Sequence, residues 1–535
     1  MKISRLASLL ILFEITVLLA GNGMIGLFES SEARYAEVSR EMIETGDFLS
    51  PQMDYVYHFT KPPMTYWLTS LGMMIFGKNP FGARFFVTLF AVLTMIVVYL
   101  AGRDGNEEED GFYALLILGA SPLFFIMAKV LTTDIYLTFF VALGYYLYRL
   151  RERGRLDRLR FDLMFGAVAA LSILTKGQVP ILYWGLIFGG LALFRKDWGP
   201  VRIFLSPVLI ATMVFLSGWW FMAVGLKHPG LLQYLFFKES VEASYSANRF
   251  HPGPVYYYIP VMLGALFPFW FLTPSPKQLF SDERFTRLIG YTVFPLFLFS
   301  LFPAKLPTYL LPSMPGWALL LAGCAKGSPR RRLIWMCSSV FIIQAVIALF
   351  ISLKGGRYIQ ADFTDVVIII AAGAGVSLAG LYLSLRDKPA AALIAVFLSI
   401  LSAGIAAPSI VAKHPEKFKI AEKTALSIRQ KIHPEDKVIE LRTTAFSIPF
   451  YLERKVYAFE NNFFRKKFLR EKPPHILQGK EELDRFMTGN PLVWALVDKK
   501  SETYIKEHYP SFRLFVSGDR YIVYVSPELA ERISK

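Results

Sequence analysis

The sequence predicts a polytopic α-helical membrane protein that ends in a small α/β domain. Three observations support this fold class. The 535 residues are 54% hydrophobic, and their mean hydropathy is +0.41. Apolar runs of about 20 residues, enough to cross a bilayer as a helix, recur through the first three quarters of the chain. Beyond residue 412 the composition turns to Lys, Glu and Asp, with short β-like runs between helical patterns.

The apolar runs predict 13 spanning helices. The first is interpreted as a retained anchor and not as a cleaved signal peptide, because no small-x-small exit follows it. The predicted spans are 7–27, 82–101, 112–128, 134–150, 162–174, 180–194, 203–225, 255–272, 286–302, 308–324, 333–353, 365–385 and 390–411.

Clusters of Arg and Lys orient these helices. If the helices alternate, every cluster lies on the side of the N-terminus, which is therefore predicted to be cytoplasmic. The acidic loop 103–110 shares that side, but acidic residues carry little weight in this rule. The outer face then holds segment 29–67, the loop that starts helix 134–150, and the region after residue 412. The basic clusters are 149–160, 195–202, 277–287, 326–332 and 386–388.

Composition also excludes several classes of protein. The 58 Lys and Arg against 42 Asp and Glu give a net charge of +16, but the surplus lies beside membrane helices and no nucleic-acid-binding motif accompanies it. The two cysteines, Cys324 and Cys337, lie in or beside apolar runs. A disulfide framework or a cysteine-based metal site is therefore not expected.

The expected domains are a transmembrane domain over 1–412, with an outer-face catalytic loop of amphipathic helices over 28–80, and a soluble periplasmic α/β domain over 413–535. The second domain has no catalytic constellation, which favours a cap or a docking module. Its predicted elements are strands at 437–441, 456–459, 492–497 and 521–525 and helices at 418–430, 481–486 and 501–508.

Three carboxylates on the predicted outer face are candidates for chemistry. Glu29 and Glu32 are three residues apart, a spacing that would place both on one face if the segment is helical. Asp134 opens a spanning helix. A carboxylate here can take a proton from an acceptor or bind a cation. The alternative is that these acids only complement helix dipoles.

Cationic and aromatic side chains share that face. Lys61 precedes Pro62 and Pro63, and Lys305 lies between prolines in the stretch that reaches Tyr309. Each alone is typical of an interfacial side chain, and Lys176 looks like a helix-flanking residue. Together, they indicate a phosphate site. The further basic candidates are Arg34, Arg249 and His251.

A phosphate site beside carboxylates at a membrane surface fits an enzyme that moves a sugar off a polyprenyl phosphate. Cations would stabilise the leaving lipid phosphate, and a carboxylate would deprotonate the acceptor. No nucleotide-binding motif is needed, and none is found. A lipid or glycan transporter is the alternative from another class, although the charges concentrate in loops and not at helix centres. A scaffold protein is a third reading.

The same residues resemble a known family. Segments 32–37, 40–42, 46–48 and 61–67 are similar to the first outer loop of bacterial lipid A aminoarabinose transferases and related protein-mannosyltransferase-like enzymes. The stretches 133–134, 249–258 and 305–309 match later motifs in the same order, so the resemblance covers residues 5–415.

This resemblance implies a GT-C fold with 13 transmembrane helices and an outer C-terminal domain, in the bacterial inner (plasma) membrane. It implies inverting transfer from an undecaprenyl-phosphate sugar to a lipid or glycan acceptor, of which lipid A phosphate is best known. Lys61, Arg249 and Tyr309 would hold the donor phosphate, with His251 and Lys305 nearby. Asp134 would line the same cavity. No cofactor is implied, and a divalent cation stays open without any diagnostic spacing.

Two departures from the family's motifs affect the half of the site that is expected to face the sugar and the acceptor. The family usually carries Asp-Glu before Ala-Arg-Tyr, whereas this chain has Ser31-Glu32. Either Glu32 or Glu29 then replaces the family's catalytic Asp, or Asp134 carries more of the catalysis. The family's Glu before Lys-Pro-Pro is Thr60 here. A protein O-mannosyltransferase or another glycan transferase of the same fold is therefore the alternative within enzymes.

Overall fold

A computed structural model describes residues 3–104, 108–235, 252–358, 364–413, 417–418, 420–461, 472–518 and 520–534. The chain forms two compact units. Unit 1 comprises Met1–Asn22 and Arg84–Ile410, and unit 2 comprises Gly23–Ala83 and Val411–Lys535. The predicted outer loop thus belongs to the same unit as the C-terminal region.

Unit 1 is built of helices, and the described part of the chain contains five that are long and apolar enough to span a bilayer. These five are Pro80–Arg103, which begins in unit 2, Pro207–Lys227, Arg330–Leu353, Thr364–Ser384 and Pro389–Lys413, whose last turn lies in unit 2. Other α-helices are Ile3–Leu19, Glu108–Gly119, Pro122–Met127, Asp134–Glu152, Arg158–Lys176, Val179–Arg195, Gly199–Arg202, Leu231–Gln233, Tyr258–Ala265, Pro276–Ser281, Glu283–Leu301 and Met314–Ala325.

Four predicted spans are interrupted where prolines remove backbone donors. Span 203–225 breaks before Pro207. Span 112–128 breaks at Pro122, and span 255–272 breaks before Pro268. Span 308–324 opens as a 3₁₀ helix, Pro307–Ser313, before its α-helix begins. The other 3₁₀ segments are Ile203–Leu205, Val255–Tyr257 and Phe269–Leu272. Each predicted span contains a described helix, but the structure does not establish that all 13 cross a membrane.

Glycine lets two helices of unit 1 approach closely. A Cβ on Gly190, in Val179–Arg195, would lie 2.5 Å from the Cα of Gly290, in Glu283–Leu301. No side chain fits at that distance, so the two backbones are in direct contact. Small residues at crossings of this kind are the usual means of packing helices within a bilayer.

The N-terminal part of unit 2 folds as two helices around a small hairpin. Helix Glu32–Thr45 ends at Gly46, whose φ of 70° gives the left-handed cap that glycine adopts without strain. Strands β1 (Gln52–Met53) and β2 (Val56–Tyr57) pair antiparallel. Helix Met64–Phe76 follows and packs against Glu32–Thr45.

The C-terminal part of unit 2 is a six-stranded mixed sheet, which confirms the predicted α/β character. The spatial order is β5-β4-β3-β6-β8-β7. The first four strands pair in parallel, and β8 pairs antiparallel with both β6 and β7. The strands are β3 Lys437–Leu441, β4 Tyr457–Phe459, β5 Ile476–Leu477, β6 Val493–Asp498, β7 Arg513–Ser517 and β8 Tyr521–Val525. The helices are Glu422–Arg429, Ser447–Leu452, Lys480–Gly489, Glu502–His508 and Pro527–Ser534.

Four strands and three helices of this part were predicted from the sequence. The prediction missed β5, β7 and the helices Ser447–Leu452 and Pro527–Ser534. Strand β5 has only two residues, and β7 is largely exposed, so neither produces a clear apolar run. The central strands β3 and β6 are buried on both faces and read as apolar runs, as parallel strands do.

Candidate active site

The central feature of unit 1 is an ion pair at the start of helix Asp134–Glu152. The Nζ atom of Lys176, in the last turn of helix Arg158–Lys176, donates to Oδ1 of Asp134. The lysine and aspartate side chains are only 12% and 9% exposed. A buried charge is costly without a partner, so each of these two side chains makes the other's burial tolerable.

Tyr309 completes this group. The Lys176 ammonium lies 5.6 Å from the centroid of the Tyr309 ring, within the range of a cation–π contact. The Tyr183 hydroxyl donates to the Tyr309 backbone carbonyl. The 3₁₀ segment that carries Tyr309 packs against helix Asp134–Glu152. A carboxylate, an ammonium and a phenol are therefore held together, which is a composition suited to a phosphate and a proton transfer.

Lys305 has a different environment from the one expected of a phosphate ligand. Its Nζ donates to the carbonyls of Phe299, Ser300 and Phe302, at 3.2, 2.8 and 2.6 Å. The residue is 2% exposed. These carbonyls belong to the end of helix Glu283–Leu301, where the helix leaves acceptors unsatisfied. The lysine acts here as a helix C-terminal cap.

In unit 2, two candidate residues, Glu32 and Arg34, lie in the first turn of helix Glu32–Thr45, and Lys61 precedes helix Met64–Phe76. Oε2 of the fully buried Glu32 accepts from the Phe28 backbone N–H at 3.0 Å. The Arg34 guanidinium lies 5.6 Å from the centroid of the Tyr35 ring. The partly exposed Lys61 donates to the Thr60 carbonyl at 3.0 Å.

Glu29 connects the two parts of unit 2. Its Oε2 accepts from the Phe446 N–H at 3.1 Å, and its Oε1 accepts from the Ser447 N–H at 3.0 Å and from the Ser447 hydroxyl. Burial raises the pKa of Glu29, while the hydrogen bonds from Ser447 and Phe446 and the charge of Arg520 oppose that rise. A carboxylate that accepts three hydrogen bonds is placed to fix two chain segments together.

A second buried carboxylate makes the same kind of connection. Asp54, in the β1–β2 turn, accepts from the Val456 N–H at 3.0 Å, and its carbonyl lies 2.7 Å from Nε2 of His475. Burial raises the pKa of Asp54 to about 8 and lowers that of His475 to about 4. Thus both segments of the predicted outer loop that flank helix Glu32–Thr45 are bound to the C-terminal part by carboxylates.

Comparisons with known proteins identify solved structures that share this fold. ArnT of Cupriavidus metallidurans superposes with a TM-score of 0.85 in its apo crystal structure, at 20% identity over 98% of this chain and 99% of that one. Its structure bound to undecaprenyl phosphate gives a TM-score of 0.83 at 21% identity, over 98% of each chain. The chain has the fold of ArnT.

Sequence relatives agree with this GT-C fold. A family model described as dolichyl-phosphate-mannose-protein mannosyltransferase matches residues 60–221. The chain is 28% identical over 330 residues, 60% of its length, to the undecaprenyl phosphate-alpha-4-amino-4-deoxy-L-arabinose arabinosyl transferase of Edwardsiella ictaluri, and 28% identical over 348 residues, 63% of its length, to the enzyme of the same name from Serratia proteamaculans. The matches span 59% and 61% of those relatives. The resemblance inferred from the loop motifs is confirmed.

The predicted site residues that the structure describes are divided between the two units. Asp134 and Tyr309 share one group in unit 1, whereas Lys305 caps a helix. Glu29, Glu32, Arg34 and Lys61 belong to unit 2. Arg249 and His251 lie outside the described residues. Among the residues that are described, no group of three or more His, Cys, Asp or Glu side chains is placed to hold a metal ion.

The residue that sequence reasoning undervalued is Lys176. The motif Thr175-Lys176-Gly177 resembles an ordinary helix end, because a lysine in a last turn complements the helix dipole. The signal that could have raised its priority is its side of the membrane. Lys176 and Asp134 both lie at helix ends on the predicted outer face, so the sequence alone already allowed an ion pair between them.

Proposed function

We propose that this chain is a membrane glycosyltransferase that moves a sugar from a polyprenyl phosphate, such as undecaprenyl phosphate, to an acceptor at the outer face of the bacterial inner membrane. The observation that carries the proposal is the buried Asp134–Lys176 pair against Tyr309. The names of the sequence relatives support aminoarabinose as the sugar. Lipid A phosphate is the acceptor that the family resemblance favours.

In the proposed reaction, an acceptor oxygen attacks the anomeric carbon of the sugar. The bond from that carbon to the lipid phosphate breaks, and the polyprenyl phosphate leaves with the bonding electrons. A hydroxyl acceptor passes its proton to a carboxylate, for which Asp134 or Glu32 is proposed. A phosphate acceptor attacks as an anion and releases no proton. Attack from the side opposite the leaving group inverts the anomeric configuration.

The leaving phosphate requires positive charge as the transition state develops. Lys176 is proposed for that task together with the residues carried over from the family, Lys61, Arg34, Arg249, His251 and Tyr309. Lys305 is proposed to act indirectly, by holding the end of helix Glu283–Leu301 just before the segment that carries Tyr309. Glu29 is proposed as a strut between two segments of unit 2 and not as the base.

We further infer that the chain crosses the membrane 13 times and exposes its active site and residues 413–535 to the periplasm. Five long apolar helices support membrane insertion. The shorter apolar helices, such as Val179–Arg195, fit spans that are supplemented by 3₁₀ turns and neighbouring helices. The basic clusters support the orientation, since all five lie on one side if the helices alternate.

A protein mannosyltransferase is the second candidate, because the family model of that description matches residues 60–221. This candidate shares the lipid-phosphate donor class and differs in sugar and acceptor. The first candidate has the support of relatives that align over a longer part of the chain.

The deciding experiment compares cells that express the wild-type chain, the Asp134→Asn variant or neither, by mass spectrometry of lipid A, surface glycans and membrane proteins. Gain of an amino-pentose on lipid A phosphate with the wild type alone would establish the first candidate. A hexose on protein would favour the second. No change in any glycoconjugate, with the chain expressed and inserted at normal levels, would contradict the proposed function.

A further inference from the structure

Unit 1 contains a cavity of about 280 Å³ at the far end of helix Asp134–Glu152 from Asp134. Its polar lining comes from Arg149, Arg153, Arg284, Arg287, Asp110 and Glu283. Four guanidinium groups against two carboxylates give the lining a formal charge of +2. One wall is apolar and includes Phe285, Leu288 and Leu319. The cavity is thus both cationic and amphipathic.

Each arginine of the lining is paired with a carboxylate: Arg153 with Asp104, Arg284 with Asp282, Arg287 with Glu283, and Arg149 with Glu152. Glu152 is shared by three guanidinium groups: Arg195 pairs with Oε1, Arg287 lies 3.5 Å from Oε2, and Arg149 lies 3.8 Å from Oε2. One carboxylate cannot satisfy the donors of three arginines, each of which has five N–H groups. Unused donor capacity is therefore concentrated around one partly exposed acid.

One donor in the cavity lining, the Nε atom of Arg149, lies 3.8 Å from Oε2 of Glu152, beyond hydrogen-bonding distance. This atom is buried and makes no hydrogen bond among the described residues, and the Arg149 side chain is 12% exposed. A buried donor without a hydrogen bond costs free energy, and such a group commonly marks the position of a missing ligand. An anion in the cavity would supply the acceptor.

We propose that this cavity binds a phosphate group, either as the headgroup of an anionic lipid or as free phosphate. Arginine is the side chain best suited to phosphate, because its planar fork donates two parallel hydrogen bonds to a pair of oxygens. The volume lies at the lower limit of ligand pockets, about 300 Å³, and so fits a headgroup better than a complete sugar nucleotide. The apolar wall suits the first carbons of a lipid.

The proposed site is distinct from the candidate active site. Asp134 and Arg149 are 15 residues apart in one helix, which corresponds to roughly 22 Å at 1.5 Å per residue. The cavity lies beside the basic clusters 149–160 and 277–287, on the side predicted to be cytoplasmic. Binding can therefore be measured independently of any transferase activity.

The test uses the full chain in two arms. In the first, the protein is reconstituted in nanodiscs of mixed phosphatidylglycerol and phosphatidylethanolamine, and native mass spectrometry identifies the lipid retained on release. In the second, inorganic phosphate is titrated against the detergent-solubilised protein while its thermal unfolding is followed. Arg149→Gln should weaken binding about tenfold or more, since it removes a charged donor.

Arg284→Gln is the second test variant, because Arg284 lines the cavity but pairs outside it, with Asp282, and so its loss disturbs the fold least. Arg160→Gln is the matched control, since its side chain is 78% exposed and does not line the cavity. Selective retention of phosphatidylglycerol that both test variants reduce supports a lipid headgroup. A saturable phosphate effect that both reduce supports free phosphate. Equal binding by all four proteins, or none by the wild type, overturns the proposal.

Discussion

At the scale of single residues, Asp134 and Lys176 are expected to be inseparable. Asp134→Asn should lower kcat by about 10²–10⁴-fold, the usual contribution of a general base, if the carboxylate takes a proton in the reaction. Lys176→Met leaves a buried carboxylate uncompensated and should cost about 3–5 kcal/mol of unfolding free energy. Thermal unfolding and turnover of the purified variants measure the two effects separately.

The double variant distinguishes an ion pair from two independent groups. Asp134→Asn combined with Lys176→Met should recover most of the stability lost in Lys176→Met, because no unpaired charge is then buried. Asp157→Asn is the matched control, since that carboxylate is 54% exposed and caps a neighbouring helix. Additive losses in the double variant would contradict the assigned pairing.

Lys305 should behave as a structural residue. Lys305→Met removes the donor from three helix-end carbonyls and should lower the free energy of unfolding by about 1–3 kcal/mol. The comparison is Lys326→Met, whose side chain is 54% exposed and pairs with Glu109. An unchanged melting temperature together with lost donor binding would contradict the structural role and indicate that Lys305 binds the donor phosphate.

The difference between Lys305 and Lys176 shows how far sequence reasoning reaches. Both are lysines at helix ends near the same predicted face, and the motif around Lys305 matched the family better. The deciding fact is which acceptor lies within 3 Å, and that depends on helix packing between residues 42 positions apart, in the case of Lys176 and Asp134. Local motifs identify the class of side chain at the site, while tertiary contacts assign its partner.

At the scale of elements, the attachment of the β1–β2 turn to the C-terminal part should depend on pH. Burial raises the pKa of Asp54 from an ordinary 3.8 to about 8, with Glu37 adding to the rise and Lys455 and Arg40 opposing it. A carboxyl whose pKa is raised by folding stabilises the fold while it is protonated. That stability is complete below about pH 4 and is lost as the pH rises towards 8.

Asp54→Asn should therefore make unit 2 less sensitive to pH. The window from pH 7.5 to 8 isolates the acids, because His475, whose pKa falls from an ordinary 6.5 to about 4 on folding, is largely neutral in both states there. Hydrogen exchange of the segment around Val456, corrected for intrinsic rates, should accelerate less with pH in the variant than in the wild type. Glu531→Gln, an exposed change in the same unit, serves as control. An equal pH response in all three proteins would disprove this role.

Prediction from sequence was most successful for elements with a strong periodic or apolar signal. The central strands were found because burial on both faces leaves uninterrupted apolar runs. The long helices were found because a helix that crosses a bilayer needs about 20 consecutive apolar residues. Helix Glu32–Thr45 is charged along its sequence, yet most of it is buried, with the guanidinium of Arg40 held by Glu37 at 2.7 Å. Because its charged side chains pair with one another, the burial of this helix cannot be predicted from its composition.

At the scale of the whole molecule, the 13 spans proposed above are odd in number, which predicts that the two ends of the chain lie on opposite sides of the membrane. Protease added to spheroplasts should degrade residues 413–535 and leave the basic loops intact. Inverted vesicles should give the opposite pattern, with cleavage in loop 149–160. An antibody tag at each end reports the fragments. Protection of the C-terminal region in spheroplasts would reverse the predicted topology.

The hydrogen bonds from Phe446 and Ser447 to Glu29 also impose an order on biosynthesis. Residues 23–83 leave the ribosome early, whereas their partners in unit 2 begin at Val411. At about 5–20 residues per second, the intervening 327 residues take tens of seconds to translate. During that interval the carboxylates of residues 23–83 that are buried in the folded protein remain exposed to water. Unit 2 therefore folds only after nearly all the membrane helices have been made. Nascent chains that end before Val411 do not contain a folded unit 2.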